Sequence, residues 1–178
     1  MAAGLLSLDR RGRTTVRTRA TWIAAITTGI MACAAPASAA DGAGARVVVS
    51  IPDRMLALLD GEQVVSIYPI AVGAPVSPSP VGTFSVVTRV TNPTYYRPGK
   101  VIGPGASNPI GTRWIGLSVR GFGIHGTDDP RSIGFARSHG CIRLRNQDVE
   151  QLFEQLRAGD VVELHAERTP EILQLFGR

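Results

Sequence analysis

Short apolar runs, repeatedly interrupted by glycine and proline, confine this chain to a mainly β fold. Val47-Val48-Val49-Ser50-Ile51, Met55 to Leu59 and Val64 to Val72 read as strands. Asp53-Arg54 is a turn signal, and Asp60-Gly61 a hairpin signal. Thr83 to Val90 is a further strand, with Phe84, Val86 and Val90 on one face. Trp114 to Val119, Phe122 to His125 and Val161 to His165 complete the set. Gly73 to Pro80 and Thr91 to Asn108 carry too much proline and glycine for a sheet and read as loops. The second is long enough to wall a substrate groove. Gln147 to Arg157 is the one convincing helix. Asn146 stands in its N-cap position, Asp148 and Glu150 fall in the first turn, and Gly159 follows the end. Val149, Leu152, Phe153 and Leu156 recur at helical spacing as a core face. Glu167 to Phe176 suggests a short terminal helix. This pattern predicts a mainly β domain.

The first 39 residues read as a signal peptide rather than as part of the fold. Arg10, Arg11, Arg13, Arg17 and Arg19 make a basic start, and Trp22 to Ala35 an apolar stretch too short for a comfortable membrane span. Ala37-Ser38-Ala39 is a small-residue cleavage site, and residues 40–45 form a Gly/Ala linker. The domain then runs over 46–166, with 167–178 as a C-terminal tail. The chain is expected to be exported, to a periplasm or cell wall. A lipid anchor at Cys33, within Ile30-Met31-Ala32-Cys33, is the alternative. The leader also explains the net charge of +5, since the remaining chain carries fourteen basic and thirteen acidic residues. The high pI is therefore no argument for nucleic-acid binding.

Once the leader is removed, Cys141 is the only cysteine, so no internal disulfide can form. A lone thiol in an exported protein is either a small buried hydrophobe or a reactive group. Its neighbours favour reactivity. His125-Gly126-Thr127 precedes Ser138-His139-Gly140-Cys141-Ile142-Arg143-Leu144, bringing two of the three histidines near it in sequence. An imidazole beside a thiol is the usual means of making a nucleophile near neutral pH. Cys141 is the candidate nucleophile, and the positive end of the helix that starts near Asn146 would help its thiolate if the chain folds back that way. His125, ending a strand, is the candidate base. His139 is assigned an auxiliary role, shaping the turn and hydrogen-bonding. The amides of Gly140 and Cys141, with His139, are candidate oxyanion-hole donors. Ser138 is expected to hydrogen-bond within the turn and to touch substrate. Arg143 has the geometry to pair with a substrate carboxylate, with a surface salt bridge as the plain alternative. Tyr96 is a candidate groove wall or core residue, Asp128 and Asp129 are turn residues, and His165 is structural. His125, His139, Cys141 and His165 fit no common zinc spacing, so no metal is expected.

The same segments carry a family resemblance. His-Gly-Thr followed by Ser-His-Gly-Cys-Ile-Arg-Leu resembles the active-site signature of the L,D-transpeptidases, or YkuD-like domains. Pro80-Val81-Gly82-Thr83-Phe84, Asn92 to Pro98 and Asn108 to Arg113 resemble the family's upstream segments, in the same order. The likeness runs from about Arg46 to Leu164. It implies a β-sandwich with one helix packed near the active site. It also implies His125 as base, the Gly126 carbonyl as the group that orients it, and no metal or organic cofactor. The expected activity is cleavage of the diamino acid–D-Ala bond in peptidoglycan stem peptides through a Cys141 thioester. Transfer to a second stem's amine would give a 3→3 cross-link in cell-wall biogenesis. Water as acceptor would make the enzyme an L,D-carboxypeptidase, and a lipoprotein lysine would make it an anchoring enzyme. A non-catalytic wall-binding protein is the competing class. The expected working unit is a monomer, with no nucleic-acid partner.

Overall fold

A run such as Val47-Val48-Val49 lacks the alternation of a half-exposed strand, so it must be covered on both faces. A computed structural model, which describes residues 44–177, shows what covers it. Val47 and Val49 enter the main core, while Val48 packs on the opposite side with Ala57, Leu59 and Ile172. In chain order the strands are β1 (Arg46–Ser50), β2 (Met55–Asp60), β3 (Gln63–Pro69), β4 (Val72–Gly73) and β5 (Gly82–Thr91). They continue with β6 (Tyr95–Arg97), β7 (Lys100–Ile102), β8 (Arg113–Leu117) and β9 (Gly123–His125). The last are β10 (Ala136–Ser138), β11 (Ile142–Arg143) and β12 (Val161–His165). The helices are α1 (Asn146–Gln155) and α2 (Pro170–Phe176).

Eight strands form one mixed sheet in the order β11-β9-β8-β5-β12-β1-β2-β3. The expected meander is present, since β1, β2 and β3 pair antiparallel in sequence. β1 pairs on its other side with β12, in parallel. β5 joins the two halves of the sheet. Gly82 to Ser85 pair with β12, and from Val86 on the strand pairs with β8, with a register shift between Val86 and Thr88. Side chains from both halves meet in one core, including Leu56, Leu58, Ile115, Ile124 and Leu164. The fold is thus mainly β, as expected. Its two layers are the two halves of one curled sheet.

The helices follow their apolar faces. Val149, Leu152 and Phe153 of α1 are buried, as is Leu156 at its C-terminal cap. Arg89 and Arg113, from β5 and β8, stack over the Phe153 ring at 4.1 and 5.4 Å. α2 covers the far side of β1 and β2 through Ile172, capped by Thr169, whose hydroxyl accepts from Ile172 N–H at 3.3 Å.

Three readings need correction. Val64 to Val72 is not one strand, because β3 stops at Pro69 and β4 is a separate short segment pairing with β10. The 91–108 segment contains a small hairpin, β6–β7, in which Tyr95 pairs Ile102 and Arg97 pairs Lys100. Asn108 pins this segment from a fully buried position: its Nδ2 donates to the carbonyls of Pro93 (2.7 Å) and Gly103 (3.1 Å). Finally, Asn146 is the first residue of α1 rather than its N-cap, which is Arg145 and makes no side-chain cap bond. The signal-peptide and Cys33 readings, and residues 40–43 of the expected 40–45 linker, lie outside the described residues; Gly44 and Ala45 precede β1 with no regular structure.

Candidate active site

Strand register builds the site. Trp114 on β8 lies opposite His125 on β9, and Arg143 on β11 lies opposite His125 from the other side. Cross-strand partners share a sheet face, so the three side chains form one row. The Trp114 and His125 rings stack, with centroids 5.6 Å apart and planes 21° from parallel. His125 is only 4% exposed. Its Nδ1–H donates to the Gly126 carbonyl oxygen at 2.5 Å. That bond leaves Nε2 as the ring's proton acceptor.

Cys141 lies one residue before β11 and is a free, half-buried thiol. Its Sγ sits 3.7 Å from the Gly121 carbonyl oxygen, and the Gly123 amide also points toward it. The sulfur therefore rests against the turn between β8 and β9. Gly140 makes this possible: at φ +105 it adopts a conformation that L side chains avoid, and a Cβ would stand 2.5 Å from the Phe122 ring.

Electrostatically the pair rests uncharged. Burial pulls His125 down to about 4, helped by the positive charge of Arg143 and opposed by the bond to Gly126. Burial pushes the Cys141 thiol up, opposed by the Gly123 amide and by Arg143. A standing thiolate is thus not the resting form. The chemistry this arrangement allows is proton transfer from Sγ to His125 as the sulfur attacks.

A cavity of about 830 Å³ brings the candidates together. His125, Cys141, Arg143, His139, Ser138 and Tyr96 all line it, with Trp114 and the rest of β6. Arg97 and Arg143 lie on its wall, and no acidic residue does. Arg143 makes no salt bridge among the described residues, and its Nε is buried without a partner. The plain salt-bridge reading of Arg143 therefore fails. His139 and Tyr96 are exposed on the rim, Tyr96 at 74%.

Two expectations change. Gly140 N–H donates to the Ser138 hydroxyl at 3.0 Å and is buried, so it is spent inside the turn and is not a free oxyanion donor. Ser138 in turn donates to the Cys141 carbonyl oxygen at 2.6 Å and is 2% exposed, so its hydroxyl holds the turn rather than reaching substrate. Cys141's own amide has no internal partner among the described residues. The sequence reading missed the Gly121-Phe122-Gly123 turn as the sulfur's cradle, although its paired glycines were a visible signal.

The remaining polar residues lie elsewhere. Asp129 pairs with Arg131 at 3.6 Å, and its amide bonds Thr127 Oγ1 at 3.1 Å, a turn role. His165 bonds Glu163 on β12 at 3.2 Å, away from the cavity. Among the described residues no three His, Cys, Asp or Glu side chains gather as a metal site requires.

A curled, mainly β domain with a cysteine and a buried histidine lining one cavity is a recognisable class. The family model for the YkuD L,D-transpeptidase catalytic domain matches residues 44–164. The chain belongs to that family. Among curated relatives it is 41% identical to the protein YkuD of Bacillus licheniformis over 107 residues, covering 60% of this chain and 57% of that protein. It is 37% identical to YqjB of Bacillus subtilis over 118 residues, covering 64% and 66%. The matches thus span less than two-thirds of either relative's length. Among solved structures, an L,D-transpeptidase from Mycobacterium smegmatis superposes with TM-score 0.58 at 22% identity, over 68% of this chain and 58% of that one. L,D-transpeptidase 3 from Mycobacterium tuberculosis, solved with a faropenem-derived adduct, gives TM-score 0.55 at 22% identity, over 70% and 60%. At these identities the structures support the fold.

Proposed function

We propose that the protein is an exported cysteine L,D-transpeptidase acting on peptidoglycan tetrapeptide stems. The observation that carries this reading is a single cavity that holds both Cys141 and a histidine whose Nδ1 is fixed on a backbone carbonyl, lined by arginine and by no acid. Family membership supports the substrate class.

In the first half-reaction Sγ of Cys141 attacks the carbonyl of the stem's diamino acid, and His125 Nε2 takes the thiol proton. The Cys141 amide is the proposed donor to the oxyanion. Collapse breaks the bond to D-Ala, whose amine receives the proton from His125, and leaves a thioester. In the second half-reaction an amine attacks the thioester and restores the thiol. Arg143 holds a carboxylate of the donor, and Tyr96 forms part of the groove wall. The leader-like first 39 residues direct the chain to the periplasm or cell wall.

Incubation with a disaccharide-tetrapeptide, followed by mass analysis, tests the reading. The expected product is a cross-linked dimer that has lost one D-Ala. Loss of D-Ala without a dimer makes the protein a carboxypeptidase, and transfer only to a lipoprotein lysine makes it an anchoring enzyme. Unchanged substrate would leave a non-catalytic binder.

A further inference from the structure

We propose that Asn146 is a positioning residue for His125, acting through the Gly126–Thr127 peptide unit. The proposal rests on the reading of His125 as the base. His125 Nδ1–H donates to the carbonyl oxygen of this peptide unit at 2.5 Å. The N–H at the other edge of the same unit, that of Thr127, donates to Asn146 Oδ1 at 3.1 Å. A peptide unit is planar, so holding its N–H also aims its carbonyl. Hydrogen bonds in series polarise one another, so the Asn146 bond also makes the Gly126 oxygen a better acceptor.

Several features show that this contact is built. Asn146 Oδ1 accepts a second amide, Thr112 N–H, at 3.3 Å. Both partners are N–H donors, which assigns the oxygen and not the nitrogen to this position. The oxygen thus clamps the loop entering β8 to the loop leaving β9. Gly111 and Gly126 leave room for it: a Cβ on either would stand 2.1 Å from Oδ1. Asn146 opens α1, whose Val149 and Leu152 are fully buried, so the clamp is mounted on a rigid element. The helix start makes no side-chain cap bond. An asparagine that forgoes local capping for amides 34 and 19 residues away has a tertiary task.

The functional consequence lies in the tautomer. With the Gly126 carbonyl held, the imidazole keeps its proton on Nδ1 and presents a bare Nε2. With the peptide unit released, the ring loses its fixed acceptor and samples the other tautomer, which cannot take the thiol proton. Arg143 from β11 acts on the ring, and the other charged or titratable groups of the same cavity are Cys141, His139, Arg97, Tyr95 and Tyr96. Trp114 from β8 stacks on it and is neutral.

Two variants of the full chain, Asn146→Leu and Asn146→Asp, decide the matter. The readouts are donor kinetics, the pH profile of acylation and the ring ¹⁵N signals of His125. Leucine removes the acceptor. It is expected to lower kcat about three- to tenfold, with KM little changed, and to split the ring signals between tautomers. Aspartate keeps the acceptor and adds negative charge at the end of the relay. It is expected to keep most of kcat and to move the acidic limb to higher pH, because the charge favours imidazolium. A folded leucine variant with wild-type kcat and a single tautomer overturns the proposal, as does an aspartate variant with an unmoved acidic limb. Should the leucine variant fail to fold, the aspartate limb, followed through the ring signals, decides alone. These signals need no turnover. A wild type that processes no donor therefore sinks the functional reading, while the ring signals still judge Asn146.

Discussion

Two histidines share one cavity and are held in opposite ways. His125 is 4% exposed, mounted on a strand, stacked on Trp114 and tied at Nδ1 to a backbone oxygen. His139 is exposed on a loop at the rim, and no side-chain hydrogen bond holds it among the described residues. Burial and fixation give His125 one usable nitrogen and a neutral resting form, the properties a base needs. Exposure gives His139 freedom to meet a ligand and no fixed geometry. The cavity thus has a firmly held wall and a looser rim, to which the proposed function assigns chemistry and recognition respectively.

Replacing each histidine tests this contrast, and the largest effect is expected at the rigid wall. His125→Ala should lower kcat by about 10²–10⁴, the usual worth of a positioned acid–base group. Donor kinetics check this, and a loss of tenfold or less would move the base elsewhere.

The buried histidine should also show itself in stability. Its folded pKa is about 4, against an ordinary 6.5 in the unfolded chain. Between those values the unfolded state binds the extra proton. His125 therefore favours folding fully above pH 6.5, and that contribution is lost as pH falls toward 4. The full difference is on the order of 3 kcal/mol. Thermal melts from pH 7 to pH 4 should fall less steeply for His125→Ala than for the wild type. Parallel slopes would mean that the histidine is not buried neutral.

Arg143 stands between wall and rim. Losing one side of a charge-assisted hydrogen bond costs about 1.5–3 kcal/mol, so Arg143→Ala should lower kcat/KM by one to two decades. Lysine should rescue only part, since it cannot make the planar two-bond contact. Unchanged kinetics with a lowered melting temperature would make Arg143 structural. The smallest effect is expected at the rim, where His139→Ala should lower kcat/KM by no more than about tenfold, the limit of one neutral hydrogen bond.

What could be read from the sequence follows the range of the interactions. The α1 core face was legible because Val149, Leu152 and Phe153 follow a helical period that burial enforces. That His125 and Cys141 meet in one cavity was legible because thiol, imidazole and glycine turns stand close along the chain. The β6–β7 hairpin was not, since three-residue strands leave little periodicity, although Pro98-Gly99 marks its turn. Asn146 looked like a cap because capping is a local rule, whereas its oxygen answers to amides 19 and 34 residues away. Gly140 looked like an oxyanion donor because nothing local showed that its N–H already donates to the Ser138 hydroxyl. The parallel β1–β12 pairing joins residues more than a hundred positions apart, beyond any local signal.

The central claim is that Cys141 carries the acyl group and that His125, not His139, takes the thiol proton as the sulfur attacks. Intact-protein mass after rapid mixing with a tetrapeptide donor, read for wild type, Cys141→Ser, His125→Ala and His139→Ala, tests this directly. The account predicts a donor adduct lacking D-Ala on the wild type and on His139→Ala, none on Cys141→Ser, and one that forms far more slowly on His125→Ala. An adduct on Cys141→Ser, or rapid acylation of His125→Ala with none on His139→Ala, would contradict it.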